Sequence, residues 1–539
     1  MDKGWRELTL VVIVSGLLTV AMTYPLAFKL GTVGRVDNGD GLMAIWNVAW
    51  VARSLITDPL HVFDANIFYP HRLTLSYSES NLGAGVLAIP AYWLTRGNPY
   101  AAHNSVVLLS FVLSATGMYY LARYLTADRR AAVVSAICFA FSPYLFAHTA
   151  HIQLLMTAGL PFSMLAFHRL ADRPSPARGA VLGTVMAAQA ISCGYYGVFV
   201  LLMVGFAVII VAAVRRRWKD ARYWLAVGIA AGVAVALIML PFLPYASLRD
   251  GGFRRSLAEA RVYSANWSAY LASGSHAHRW MLHYLPKWND VLFPGFVALV
   301  AGLAALVSTD IPFGEVKLLY GGLTALAFWA SFGPDAGLYA LLYRVLPMFG
   351  WLRAPARLGI IVALGLSVLA GAAVARVLQR SRSAAAAGAV IMVVAAAELV
   401  VPLHIPGATP VNPVYHVLAV LPRAPVIEMP FYYPEVGLYQ HTKYMLASTA
   451  HWMPLVNGYS DHIPLDFYEH VMTLATFPSE AGFKVLQPAG VRYAIFHMYG
   501  YNAQNRSEVL GRLKRFAEYL RPIYMTDDTR LYEIVGFPP

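Results

Sequence analysis

Residues 8–26, LTLVVIVSGLLTVAMTYPL, form one apolar run, and shortly after it the chain reads Arg35-Val36-Asp37-Asn38-Gly39-Asp40-Gly41. The run is close to the roughly 20 residues that a helix needs to cross hydrocarbon. It is longer than a signal-peptide core and lacks a small-residue cleavage pattern, so it reads as an uncleaved first span, with Lys3 and Arg6 on its near side. Two carboxylates, Asp37 and Asp40, then follow just outside an apolar wall. The next segment, Leu42 to Thr57, is aromatic and nearly uncharged (Trp46, Trp50, then Arg53) but short for a span. It is expected to lie along the membrane interface, where tryptophan prefers to sit.

Working outward, 58% of the 539 residues are hydrophobic and only 13% are charged. Repeated apolar runs of span length make this a polytopic membrane protein rather than one or two soluble cores. About eleven helices are expected, centred near residues 17, 113, 139, 162, 185, 205, 232, 300, 324, 368 and 393. The formal charge of +13 is not a nucleic-acid signature, because the excess Lys and Arg fall in short clusters between spans. With the N-terminus cytoplasmic, the inside loops are Arg123–Arg130, Arg169–Arg178, Arg215–Arg222, Ser308–Lys317 and Arg376–Arg382. All but the Ser308–Lys317 loop are strongly basic, as the positive-inside bias requires. Cys138 and Cys193 lie within spans and read as small buried apolar residues.

This arrangement requires Leu82 to Leu94 not to cross. The expected domains are then 1–403, a transmembrane domain with long outer loops at 28–98 and 245–290, and 404–539, a small extracytoplasmic α/β domain. In the latter, 425–429, 491–496 and 531–535 read as strands, with helical patterns near 435–449, 464–475 and 504–520. There is no phosphate-binding P-loop, dinucleotide glycine fingerprint, His-Glu-x-x-His zinc helix or serine nucleophile elbow. A calcium loop from Asp37 fails because Gly39 occupies a position that needs a side-chain ligand.

This layout, together with Gly39-Asp40-Gly-Leu-Met-Ala-Ile-Trp46, Phe349-Gly-Trp-Leu-Arg-Ala-Pro-Ala-Arg357 and Leu455-Val-Asn-Gly-Tyr459, resembles the GT-C superfamily of membrane glycosyltransferases. The closest likeness is to bacterial members. The resemblance implies sugar transfer, with inversion, from a polyprenyl-phosphate-linked donor to a glycan, lipid or protein acceptor. The setting it implies is the extracytoplasmic face of a bacterial inner membrane. It implies no cofactor; a divalent metal is compatible with the reaction, but no ligand set supports one. It also implies a general base in the first outer loop, Asp40 with Asp37 as the alternate, and cations near the leaving phosphate.

Each candidate has a plainer reading beside the functional one. Asp40 sits where an N-cap for a helix beginning at Leu42 belongs, and the two roles are compatible. Arg353 and Arg357, four residues apart around Pro355, point to a phosphate head group or anchor the chain at the interface. Arg72, beside His71, is a second cationic candidate, and Glu79 either orients an acceptor or is solvated. His148 and His151 stand at i, i+3 at the outer end of the third span, for a sugar, a metal or simple packing. Tyr195 and Tyr196, in Gly194-Tyr-Tyr-Gly197, line a sugar cavity or belong to an aromatic belt. Two other function classes stay open: a transporter or flippase of a lipid-linked glycan, with Glu398 as its intramembrane acid, and a non-catalytic scaffold.

Overall fold

The computed structural model describes residues 3–34, 39–246, 254–309 and 314–539. The protein is a multi-pass membrane protein, mostly helical, with one small sheet near its C-terminus. All eleven expected centres fall inside helices. Among the described residues, seven helical segments are long and apolar enough to cross a membrane: Gly4–Met22, Pro99–Thr126, Arg129–Ala147, Ile152–Asp172, Gly194–Val214, Ala221–Tyr245 and Pro355–Arg380. Leu82–Leu94, Phe296–Val307 and Ala384–Glu398 are apolar but shorter. Both cysteines are buried, and neither forms a disulfide.

The chain divides into two compact units, Met1–Lys29 with Ser105–His404 and Leu30–Asn104 with Ile405–Pro539. Most of the segment read as a first outer loop thus packs with the C-terminal residues.

In the first unit, the helix Pro176–Ser192 lies directly against Ala221–Phe242. Gly179 and Gly183, one turn apart, make this possible. A β-carbon would stand 2.3 Å from the Ala226 carbonyl oxygen at the first position and 2.3 Å from that of Ala230 at the second. Small residues at i, i+4 are how helices approach backbone to backbone where lipid removes the hydrophobic drive between them. Ion pairs join the loops expected on one side. Arg215 holds Asp172 at 2.7 Å and Glu315 at 2.8 Å, while Glu7 holds Arg129 at 2.9 Å and Arg123 at 3.5 Å.

The second unit is built around a helix, Asp40–Thr57, that is packed inside the protein. Trp46, Val48, Trp50 and Val51 are buried. The Trp46 indole N–H donates to Asn66 Oδ1 at 3.2 Å and that of Trp50 to the Val62 carbonyl at 2.8 Å, where an interfacial tryptophan would keep its N–H toward water. Leu82–Leu94 packs on this helix at Gly85, where a β-carbon would collide with the Val51 side chain. The sheet contains β1 (Val426–Met429), β2 (Tyr493–His497), β3 (Leu520–Met525) and β4 (Thr529–Ile534), in the order β1-β2-β4-β3. β1 and β2 are parallel and the other pairs antiparallel. The sequence reading missed β3, because Pro522 interrupts its alternation; an edge position tolerates the missing N–H. The Leu455–Tyr459 motif is a seam. Asn457 accepts from the Glu428 backbone N–H at 2.8 Å and donates to the Glu428 carbonyl at 2.9 Å, and its own carbonyl accepts from Phe68 at 3.2 Å.

The glycine seam yields a direct test. Gly183→Val places side-chain carbon against a backbone oxygen that cannot move aside, and is expected to cost about 1–3 kcal/mol or more. Thermal unfolding of the purified protein should show it as a lowered Tm. Val181→Leu, on the exposed side of the same helix, should leave Tm unchanged.

Candidate functional site

In the first unit the site is organised by the break between Pro176–Ser192 and Gly194–Val214. Cys193 is extended at the break, so Tyr195 and Tyr196 begin a new helix and, as neighbours on it, point in different directions. Tyr196 turns inward and donates to the Leu154 carbonyl at 2.9 Å, with the Tyr144 hydroxyl 3.2 Å away. Tyr195 serves the residues around Pro355. Its hydroxyl accepts the Arg353 backbone N–H at 2.8 Å, and its ring lies under the Arg357 guanidinium, 4.4 Å from the centroid.

The two arginines differ in their partners. The Arg353 guanidinium lies over Tyr263, 5.4 Å from the ring centroid, and 4.0 Å from Glu259, which Arg255 holds at 3.0 Å. Arg357 is half-buried and stacked on Tyr195, and among the described residues its guanidinium makes no hydrogen bond or ion pair. A cation partly withdrawn from water with its N–H fork unfilled suits a phosphate or carboxylate, which accepts that fork in bidentate fashion.

Beside it stands His148, at the end of the short helix Pro143–Ala147. Its Nδ1–H donates to the Tyr144 carbonyl at 2.8 Å, and its Nε2 faces Asp290 Oδ1 at 3.6 Å. Burial holds its pKa below the usual histidine value; Asp290 opposes that shift, and Arg357 and His151 add to it. The His151 ring lies 6.4 Å from that of His148. The structure therefore assembles Arg353, Arg357, His148, His151 and Tyr195 from three separate stretches of sequence. Asp290, Glu259 and Tyr263 were missed; the only signal for Asp290 was an acid at the end of the 245–290 loop. Glu398 has a structural task, since its carboxylate accepts the Val297 N–H at 3.0 Å at the start of Phe296–Val307, with His278 Nε2 at 3.8 Å. Among the described residues, no group of three or more His, Cys, Asp or Glu is placed to hold a metal ion.

In the second unit, Asp40 is half-buried in the first turn of Asp40–Thr57. The N-cap is Gly39, not Asp40 as the sequence reading had it. Gly39 has a φ of 79°, a left-handed value that favours glycine, and packs on Tyr439. In the first turn a carboxylate is favoured by the helix dipole. Asp37 lies outside the described residues. Arg72 is 74% exposed and paired with Asp64 at 2.9 Å, a surface ion pair. The Glu79 carbonyl accepts from the side-chain amides of Asn47 and Asn81, each at 3.2 Å.

A family model described as dolichyl-phosphate-mannose-protein mannosyltransferase matches residues 94–245. No curated protein matches the sequence. Among solved structures, arabinofuranosyltransferase AftD from Mycobacteria is similar over 99% of this chain and 40% of its own, with 15% identity and a TM-score of 0.56. A mutant of the same enzyme gives 0.57 at 15% identity, over 100% of this chain and 42% of that one. The chain therefore shares the fold of these AftD structures. The chain spans less than half the length of these AftD structures. The apo oligosaccharyltransferase of Archaeoglobus fulgidus is similar at 12% identity and a TM-score of 0.48, over 98% of this chain and 74% of that one.

The unfilled Arg357 fork predicts anion binding. Arg357→Gln should weaken the affinity of the full-length protein for farnesyl phosphate by roughly ten- to a hundredfold, the loss of one charge-assisted contact. Arg72→Gln, which removes a paired surface cation, should leave it unchanged. Calorimetric titration in detergent measures both.

Proposed function

We propose that the protein is an inverting membrane glycosyltransferase that takes its sugar from a polyprenyl-phosphate donor. The observation that carries this reading is Arg357, a half-buried guanidinium without an anionic partner among the described residues, backed by Tyr195. The GT-C fold and the mannosyltransferase family model support it. In the proposed reaction the acceptor's oxygen attacks the anomeric carbon. Its proton passes to the Asp40 carboxylate, with Asp37 as the alternate base. The bond between the anomeric carbon and the phosphate oxygen breaks, and its electron pair leaves on the phosphate. Arg357 and Arg353 meet the charge that develops there, the term that contributes most when donors are already in position.

The acceptor is a hydroxyl-bearing glycan, lipid or protein, and the reaction takes place at the extracytoplasmic face of a bacterial inner membrane. The N-terminus is then cytoplasmic and residues 404–539 lie outside. The ion pairs that link Arg215 to Asp172 and Glu315 support grouping these loops on one side. Against the transporter reading, Glu398 is the main intramembrane acid, and its carboxylate is engaged at the start of Phe296–Val307.

Two measurements test the reading. Asp40→Asn keeps a polar first-turn side chain but loses the proton acceptor, so turnover should fall by about a hundredfold or more, while expression and farnesyl phosphate affinity stay unchanged. Asp37→Asn should do less; the reverse order would transfer the role to Asp37, and full activity in both would remove the first-loop base. For sidedness, a reporter active only in the cytoplasm should stay silent when fused after Pro539. Activity there would reverse the orientation.

A further inference from the structure

The reading above leaves the His148–Asp290 contact without a task. The Tyr144 carbonyl can only accept, so His148 Nδ1 carries a hydrogen in every protonation state. Its Nε2 faces a carboxylate oxygen at 3.6 Å. With a neutral ring, a lone pair would point at the Asp290 charge; with an imidazolium, an N–H⁺ would. The contact with Asp290 therefore favours the cation. Burial and the charge of Arg357 work the other way. The groups that bear on the ring are Asp290 from the 254–295 loop, Arg357 from the turn before Gly359–Arg380, and Tyr144 and His151 from its own stretch.

We propose that His148 is the proton-linked member of the Arg357 anion site, taking up a proton when a phosphate monoester binds and releasing it when the phosphate leaves. The proposal rests on the reading of Arg357 as a phosphate contact. The physical link is direct. Among the groups acting on His148, Arg357 is one that disfavours the imidazolium, and an anion on Arg357 cancels that repulsion. Binding then raises the proton affinity of His148, and by reciprocity protonation of His148 tightens binding. No covalent bond changes; one proton moves from solvent to Nε2. The consequence for transfer is that the site gains positive charge as the leaving group passes from a phosphodiester monoanion to a phosphomonoester dianion. Asp290 holds the imidazolium in place and is a positioning residue.

The sign follows from linkage. Anion binding raises the pKa of His148, so the extra affinity is fully present below the free-state pKa and is lost as pH rises through the bound-state value. The test is calorimetric titration of the full-length protein in detergent with farnesyl phosphate and, separately, inorganic phosphate. Each titration is run from about pH 5.5 to 8.5 in two buffers of different ionisation enthalpy, since one linked proton changes affinity by at most about tenfold per pH unit. The comparison that matters is wild type against His148→Gln, because the probe's own titration is common to both. Wild type should take up more protons on binding, and the affinity ratio of wild type to His148→Gln should fall as pH rises. Asp290→Asn should retain binding and shift the linked window to lower pH, which separates the proposal from a folding defect in His148→Gln.

Linkage with farnesyl phosphate alone assigns a lipid head group as the ligand, and linkage with both probes assigns the phosphate itself. Equal proton uptake and parallel pH profiles in wild type and His148→Gln, with binding still weakened by Arg357→Gln, overturn this proposal and leave the phosphate reading standing. Binding unaffected by Arg357→Gln, or absent from the wild type, overturns both.

Discussion

A polar group withdrawn from water has to find its partner inside the protein, and in this chain that requirement organises nearly everything that is not lipid-facing. Trp46 and Trp50 place their N–H groups on Asn66 and Val62, Glu398 caps a helix, and Arg215 divides itself between two carboxylates. Asn457 links β1 through its side chain to the segment that carries Phe68 through its backbone carbonyl. Arg357 is one of the groups that depart from this rule, its guanidinium half-buried and without a polar partner among the described residues. Stacking on Tyr195 offsets part of the cost of that position, as cation–π contact does at partly desolvated sites. The remainder is what a bound anion would recover.

Helix positions were readable in the sequence because they depend on local apolar runs, and every expected centre lies in a helix. Two features were not readable for the same physical reason: they depend on what lies across the fold. The Asp40–Thr57 segment has the composition of an interfacial helix, yet it is buried, because its tryptophans find acceptors on residues that follow it and it packs against Leu82–Leu94. The close approach of Pro176–Ser192 to Ala221–Phe242 is encoded in Gly179 and Gly183, but their effect requires knowing which backbone they face.

The candidate site divides in the same way. Arg353, Arg357, His148 and His151 were identified by residue type and position, and the first unit brings them together. Their partners, Tyr263, Glu259 and Asp290, come from a loop whose local sequence carries no recognisable pattern, so nothing marked them in advance. Arg72 had the right chemistry in the wrong company, since Asp64 already neutralises it. What separates Arg357 from Arg72 is the absence or presence of a fixed carboxylate, a difference that sequence composition does not show.

The central claim is that Arg357 and its neighbours receive the phosphate of a lipid donor. The most direct measurement is photo-crosslinking of the full-length protein in membranes with a polyprenyl phosphate that carries a photoreactive group close to the phosphate, followed by mass-spectrometric mapping of the labelled residues. Label concentrated on the segments 144–148, 195–196 and 353–357, and displaced by excess polyprenyl phosphate, is the predicted result. Label confined to other segments under the same competition would contradict the account.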